Sequence, residues 1–177
     1  MMRKVNLYIA MSLDGYIATA DDNIDFLTMV ESAGEDYGHK AFMDTVDTVI
    51  WGRKTYDKVL TLGDNLLYPD KKIYVMSRQR KGDKQNIRYR DDVVSLIHEL
   101  KQQEGKDIYC DGGAEIVDEL LKYQLIDRII VSIIPHLLGS GKSLFKNGRL
   151  EQRLKFKKSE TYPTGLVQLW YDVKQAS

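Results

Sequence analysis

The sequence predicts a three-layer α/β/α fold, in which a mixed, largely parallel sheet is covered by helices on both faces. Two observations lead to this class. Short apolar runs typical of strands alternate with helical stripes, and the chain closes on two strand-like segments joined by a turn. The 177 residues, 43% of them hydrophobic, suffice for one sizeable core. We therefore expect a single domain over residues 1–177.

The first elements follow from apolar periodicity. Apolar residues alternate with polar or small ones over residues 5–11, which predicts a first strand, and Asp14-Gly15 then predicts a turn. An apolar stripe with helical spacing predicts a helix that contains His39, Phe42, Met43 and Val46. Because His39 lies on the apolar side of that stripe, we interpret it as a packed core residue rather than a catalyst.

The remaining elements alternate between strand and helix. Apolar runs predict strands over residues 48–51, 73–76, 107–110 and 127–134. Helices are predicted over residues 54–60, after an Asp92 cap, and around residues 116–121. The chain ends in a predicted antiparallel hairpin, residues 154–162 and 166–173. Ligands of such sheets bind beyond the carboxyl ends of the strands, which selects a rim made of residues 12–15, 52–56, 77–78 and 111–114.

Composition excludes several functional classes. The chain has 26 basic and 26 acidic residues, so its charge gives no reason to expect a nucleic-acid partner. The single cysteine, Cys110, permits no internal disulfide, and the three histidines lack metal-ligand spacing, so we predict no metal site. No segment resembles a secretory signal or is apolar enough to span a bilayer, and we expect a cytoplasmic protein.

Three strand ends carry residues suited to phosphate groups. Gly112 and Gly113 let the backbone approach a ligand closely, and the helix that follows begins with free N–H groups. Arg53, Lys54 and Thr55 follow Gly52 at a second strand end, and Ser77-Arg78 follow a third. Each could also be an ordinary turn or helix start that binds nothing. Cations at two of the three ends favour a ligand that carries several phosphates.

Two further features of the sequence each allow more than one interpretation. Residues 138–143 resemble half of a phosphate-binding P-loop, but His136 occupies the position that requires a glycine, which argues against an ATPase loop. Asp14 and Asp25 are candidate proton donors near the rim. The alternatives are that Asp14 caps a turn and that Asp25 starts a helix.

The ordered motifs resemble the dihydrofolate reductase-like family, in particular the branch that includes the reductase domain of the bifunctional riboflavin-biosynthesis enzyme. They are Ser-Leu-Asp-Gly-Tyr-Ile-Ala at residues 12–18, Val-Ile-Trp-Gly-Arg-Lys-Thr-Tyr at 49–56, the strand at 73–78, the Gly-Gly helix start within 108–121, and residues 126–145. The resemblance implies an NADPH site. By analogy, Gly52, Arg53 and Thr55 would contact phosphates of the cofactor, with Arg53 at the 2′-phosphate, and Ser77 and Arg78 would lie near the adenosine. The pyrophosphate would be held by Gly112, Gly113, Ala114 and Glu115. Ala10 and Ile17 would lie beside the nicotinamide.

The expected activity is therefore reduction of a C=N or C=O bond in a small heterocycle, with Asp14 or Asp25 as the proton source. A phosphoribosylamino-uracil is the first substrate expected and dihydrofolate or another pterin the second. We expect the substrate cleft between residues 12–26 and the Trp51 strand. The chain departs from the family in lacking a Pro-Trp pair before its acid and a zinc-binding deaminase half. The alternative is a nucleotide-binding domain without chemistry. The resemblance also implies a homodimer.

Overall fold

A computed structural model describes residues 2–63, 68–148 and 151–174, and the other residues of the predicted domain lie outside this part. Its strands are β1 (Val5–Ser12), β2 (Tyr16–Ala18), β3 (Val46–Gly52), β4 (Lys72–Met76), β5 (Asp83–Lys84), β6 (Ile87–Arg90), β7 (Asp107–Gly112), β8 (Arg128–Ile134), β9 (Lys142–Ser143), β10 (Leu154–Thr161) and β11 (Val167–Val173). Its helices are a 3₁₀ helix (Asp25–Val30), α1 (His39–Met43), α2 (Arg53–Leu62), α3 (Val93–Gln102) and α4 (Ala114–Lys122).

Nine strands form one sheet in the order β10-β11-β8-β1-β7-β3-β4-β6-β5. The six strands from β8 to β6 in that order run parallel to one another. The terminal hairpin β10–β11 pairs antiparallel to β8, and β5 pairs antiparallel to β6. The mixed, mostly parallel sheet with its C-terminal hairpin confirms the predicted fold class. The short strands β2 and β9 form a separate antiparallel pair.

Helices cover both faces of the sheet, which gives the three predicted layers. One apolar cluster packs α3 and α4 against residues such as Leu7 and Ile50. A second packs α1 and Tyr56 of α2 against the opposite face, which includes Tyr8 and Trp51. The consecutive residues Leu7 and Tyr8 are therefore both buried. The predicted first strand is confirmed as β1, and both of its sides are buried because helices cover both faces of this largely parallel sheet.

Local signals predicted the helices with different success. Asp92 caps α3 as expected, since its Oδ1 accepts hydrogen bonds from the N–H groups of Val94 (2.9 Å) and Ser95 (3.1 Å). The helix predicted from His39 to Val46 is too long, because α1 ends at Met43 and Val46 already belongs to β3. Within the described residues, no helix is long and apolar enough to cross a membrane.

Candidate functional site

The strand ends selected from the sequence meet at one edge of the sheet. Strands β1, β7, β3 and β4 are parallel neighbours, so the segments that follow them lie side by side. A Cβ atom added to Gly52 would stand 3.4 Å from the backbone nitrogen of Gly113, and one added to Gly113 would stand 3.2 Å from Oγ1 of Thr55. Gly52, Thr55 and Gly113 therefore form a tight cradle in which larger side chains would displace their neighbours.

Helix α4 begins in this cradle. Gly113 is its N-cap and has no side-chain capping bond, so the N–H groups of Ala114 and Glu115 face the helix end, where a helix favours an anion. The Glu115 side chain is 91% exposed and pairs with Lys146 at 3.3 Å, which leaves its N–H as the group that a phosphate could use. Gly112 has φ +98°, and a Cβ there would stand 3.3 Å from Cδ1 of Ile9.

Beside the cradle, Asp57 of α2 joins Arg53 of the same helix to Arg80 in the turn after β4. Oδ2 of Asp57 accepts hydrogen bonds from Arg53 (3.1 Å) and Arg80 (3.2 Å), and its Oδ1 accepts a second one from Arg80 at 2.6 Å. Ser77 is buried, and its Oγ accepts the N–H of Arg80 at 3.0 Å, so this serine shapes the turn after β4. The structure thus brings Arg53 and the Ser77 turn together through Arg80, while Arg78 lies exposed. Sequence reasoning missed Asp57 and Arg80.

Asp14 holds two loops together. Its Oδ1 accepts hydrogen bonds from the Leu138 N–H (3.0 Å) and the Ser12 hydroxyl (2.5 Å), and its Oδ2 accepts the Gly139 N–H at 2.7 Å. The Ser12 bond, followed by the backbone bonds, lowers the pKa of Asp14 from 3.8 to about 2. An acid with so low a pKa is a poor proton donor, and its carboxylate instead ties the turn after β1 to residues 138–139.

Asp25 begins the 3₁₀ helix, where its exposed carboxylate accepts a hydrogen bond from Nδ2 of Asn23 at 2.7 Å. Ile17 lies in β2 and packs against the core on the α3–α4 side. Ala10 lines the cleft described below, whereas the side chains of Asp25 and Ile17 are not part of its lining.

An open cleft of about 650 Å³ lies over the sheet face that carries Tyr8. Tyr8 and Ala10 of β1 and Ser132 and Ile134 of β8 contribute from the sheet. The walls come from the 3₁₀ helix, from residues 31–37 and from His39. We expected the cleft between residues 12–26 and the Trp51 strand. The lining of this cleft instead comes from residues 27–39, which follow that region, and from β1 and β8, because residues 27–39 fold back over these two strands.

The polar groups of the cleft are linked by a buried amide. Nε2 of Gln168 contacts the Tyr8 hydroxyl and Ser132 Oγ, each at 3.1 Å, and the backbone oxygen of Tyr37 at 3.2 Å. Burial raises the pKa of Tyr8, so its hydroxyl stays protonated at neutral pH. Burial also lowers the pKa of His39, against an opposing effect of Asp36, so His39 is neutral at that pH. The hydrogen bonds of Gln168 therefore hold neutral polar groups in place at the floor of the cleft.

Asp111 is an acid that sequence reasoning placed in the rim but did not recognise as a proton donor. Its Oδ2 accepts a hydrogen bond from the Trp51 indole and its Oδ1 accepts one from the Tyr109 hydroxyl, both at 2.6 Å. Burial raises its pKa from 3.8 to about 6, although these two hydrogen bonds oppose the shift. The centroids of the Tyr109 and Tyr8 rings lie 6.2 Å apart, so Asp111 is on the sheet face that carries the cleft, behind Tyr8 and outside the cleft lining itself. The available signal was an acid directly before Gly112-Gly113 at the end of an apolar strand.

Comparisons with known proteins agree with this architecture. Residues 3–168 match the family model of the RibD C-terminal domain. The uncharacterized protein YwjB of Bacillus subtilis (strain 168) is 41% identical over 179 residues, covering 97% of this chain and 98% of YwjB. A solved protein from Shewanella sp. PV-4, named for riboflavin biosynthesis, is 31% identical with a TM-score of 0.87, covering 99% of this chain and all of that one.

A more distant solved structure shows the shared fold. It is the Thermotoga maritima diaminohydroxyphosphoribosylaminopyrimidine deaminase/5-amino-6-(5-phosphoribosylamino)uracil reductase, with a TM-score of 0.69 at 13% identity, and the match covers 98% of this chain and 57% of that one. Fold and rim together define a dihydrofolate reductase-like domain. The chain belongs to the family of the RibD C-terminal domain, a riboflavin-biosynthesis-type reductase family, as the resemblance predicted.

Proposed function

We propose that this protein is an NADPH-dependent reductase of a small heterocyclic substrate. The observation that carries the proposal is the cradle of Gly52, Thr55 and Gly113 at the start of α4. Its glycines allow a ligand to come close to the backbone, and the free N–H groups at the start of α4 can donate hydrogen bonds to a pyrophosphate. The guanidinium groups of Arg53 and Arg80 stand beside it and suit a further phosphate, such as the one that distinguishes NADP from NAD.

The cleft would receive the substrate. Ala10 lines the cleft and is also the residue that the family resemblance sets beside the nicotinamide. When bound, the nicotinamide supplies the hydride. Residues of this chain then position the substrate ring, keep water away from it and deliver a proton to the reduced bond.

We assign the proton to Asp111 rather than to Asp14 or Asp25. Its pKa of about 6 lets it hold a proton at mildly acidic pH, where an ordinary aspartate has lost it. In reduction of a C=N bond, hydride adds to carbon, the nitrogen takes the Asp111 proton, and the carboxylate left behind regains a proton from water. Trp51 and Tyr109 stabilise that carboxylate by donating hydrogen bonds to both oxygens.

Two compounds are the first candidate substrates to assay. The phosphoribosylamino-uracil comes first from the family, and dihydrofolate or another pterin comes second. The test is oxidation of NADPH by the purified protein with each compound, followed by the loss of nicotinamide absorbance. Turnover that falls about 100-fold in Asp111→Asn, with NADPH affinity unchanged, supports the proposal. NADPH binding without turnover of any compound in a broad panel would instead favour a nucleotide-binding domain without chemistry.

We further propose that the protein acts in the cytoplasm as a homodimer. Support for self-association comes from β10, an edge strand that exposes 57% of Phe156 and 43% of Leu154. The ring of Phe156 contacts that of Tyr171 at 5.9 Å, which extends the apolar surface across the hairpin. Light scattering that gives twice the chain mass, and a monomer for Phe156→Lys, would support the dimer. A monomer for the unaltered protein would contradict it.

A further inference from the structure

Three exposed acidic residues line one wall of the cleft. Its lining includes Glu31, Glu35 and Asp36, and all three residues are exposed. The floor beneath them is apolar or neutral, with Ala10, Ile134 and the Tyr8 hydroxyl among its groups. A ligand that enters the cleft therefore passes carboxylates before it reaches a neutral interior.

Local hydrogen bonds hold two of these carboxylates in place. The carboxylate of Asp36 accepts the N–H groups of Gly38 (2.9 Å) and Lys40 (3.0 Å), and that of Glu35 accepts the N–H of Tyr37 at 2.7 Å. The backbone bonds lower the pKa of Asp36, so it is charged throughout the neutral range. The negative charge is consequently a fixed property of the cleft.

Cations do not neutralise this charge from within. Among the described residues that line the cleft there is no lysine or arginine, and His39 is neutral at pH 7. On the flanking α1 helix, Lys40 pairs with Asp44 at 3.3 Å. On the neighbouring hairpin, Lys158 is held 4.3 Å from the centre of the Trp170 ring and pairs with Glu160. The cations of this region are thus already engaged.

We infer that the cleft takes an unphosphorylated heterocycle, neutral or cationic, and rejects a phosphorylated one. The inference rests on the proposed function and narrows its substrate class. It argues against the phosphoribosylamino-uracil, which the family suggests first, and against the anionic glutamate tail of dihydrofolate, and it favours an uncharged or cationic pterin or pyrimidine. A phosphate on a sugar tail would have to stand near three carboxylates without a cationic partner in the described lining, which costs binding free energy. A neutral ring bearing N–H and carbonyl groups, or a protonated aminopyrimidine, would match the neutral polar floor and would gain from the acidic entrance.

The test compares two compounds that differ only by the phosphate group, the phosphoribosylamino-uracil and its dephosphorylated nucleoside, and the salt dependence isolates the contribution of charge. Calorimetric titration into the protein, with and without saturating NADPH, measures both affinities. We expect the nucleoside to bind at least about 10-fold more tightly, and we expect added salt to narrow the difference by screening the repulsion. Tighter or equal binding of the phosphorylated form, or no binding of either form, would overturn the inference.

A charge reversal adds a second measurement. Glu31→Lys places a cation at the cleft and should raise the affinity for the phosphorylated compound while leaving NADPH binding unchanged. The matched control is Glu104→Lys, which makes the same change in the exposed loop before β7 and should alter neither affinity. An equal effect of both variants would show that net charge alone matters and would contradict the inference. A separate outcome, in which the unaltered protein does not bind NADPH at all, would contradict the proposed function rather than this inference.

Discussion

The indole Nε1 of Trp51 donates a 2.6 Å hydrogen bond to Oδ2 of Asp111, and so joins β3 to β7 just below the rim. This contact links two residues that are 60 positions apart in the sequence. It gives the proposed proton donor a fixed orientation, and the Tyr109 hydroxyl fixes its other oxygen. A carboxyl held on both oxygens can change its charge without a change of position, which is the arrangement that general acid catalysis requires.

Asp111 should make the fold less stable at neutral pH than at acidic pH. Burial raises its pKa from 3.8 to about 6, so the folded state binds this proton more tightly than the unfolded chain does. Asp111 therefore lowers the free energy of unfolding as the pH rises from about 4 to about 6, and the free energy of unfolding stays at this lower level above pH 6.

Asp111→Asn should remove this pH dependence. Asparagine can accept the Trp51 hydrogen bond and donate one to the Tyr109 oxygen, so the variant should be about 3 kcal/mol more stable at pH 7 and nearly equally stable at pH 4. Urea unfolding at both pH values measures the change, with the exposed Asp91→Asn as the control. The same stability difference at both pH values would contradict the assignment.

Asp14→Asn should weaken the fold but spare the chemistry. An amide nitrogen cannot accept a hydrogen bond, so one of the two loop N–H groups, from Leu138 or Gly139, loses its partner. The melting temperature should fall at neutral pH, while kcat stays close to that of the unaltered protein. Since the folded pKa is about 2, the difference should disappear as the pH falls from about 4 to about 2. A large loss of kcat with unchanged stability would restore Asp14 as the proton source.

Gly113→Ala should impair cofactor binding more than folding. The added Cβ would stand 3.2 Å from Thr55 Oγ1, a contact that requires a small shift of the threonine or of the helix start. Because the cradle is the proposed pyrophosphate site, we expect the Kd for NADPH to rise at least about 10-fold. Unchanged affinity in Gly113→Ala would place the cofactor elsewhere.

Arg53→Gln should reduce selectivity between the two nicotinamide cofactors. Removing one guanidinium from the Asp57 network should weaken NADPH binding about 10-fold and leave NADH binding unchanged. The neighbouring exposed Lys54→Gln is the matched control and should change neither. Equal weakening of both cofactors by Arg53→Gln would mean that Arg53 contacts a group that they share.

The sequence was most informative where the signal is local. Apolar runs that end in glycine or serine located the ends of β3, β4 and β7, and the geometry of a parallel sheet then placed them at one edge. The position of the cleft could not be derived in this way, because residues 27–39 reach β8 through contacts about 100 residues away along the chain. Asp111 was overlooked for a related reason, since its raised pKa depends on burial that only the folded chain creates.

Short strands were equally difficult to predict. β2 and β9 contain three and two residues, too few to show a period, and they form only because each pairs with the other. The same holds for β5, whose two residues lie in an exposed turn.

The most direct test of the account is a titration of the purified protein with NADPH and, separately, with NADH, followed by nicotinamide fluorescence. The account predicts tight binding of NADPH and much weaker binding of NADH, with the difference lost in Arg53→Gln. Failure to bind either cofactor would contradict it, because the cradle at Gly113 would then be a structural turn, and the reductase proposal would have to be abandoned.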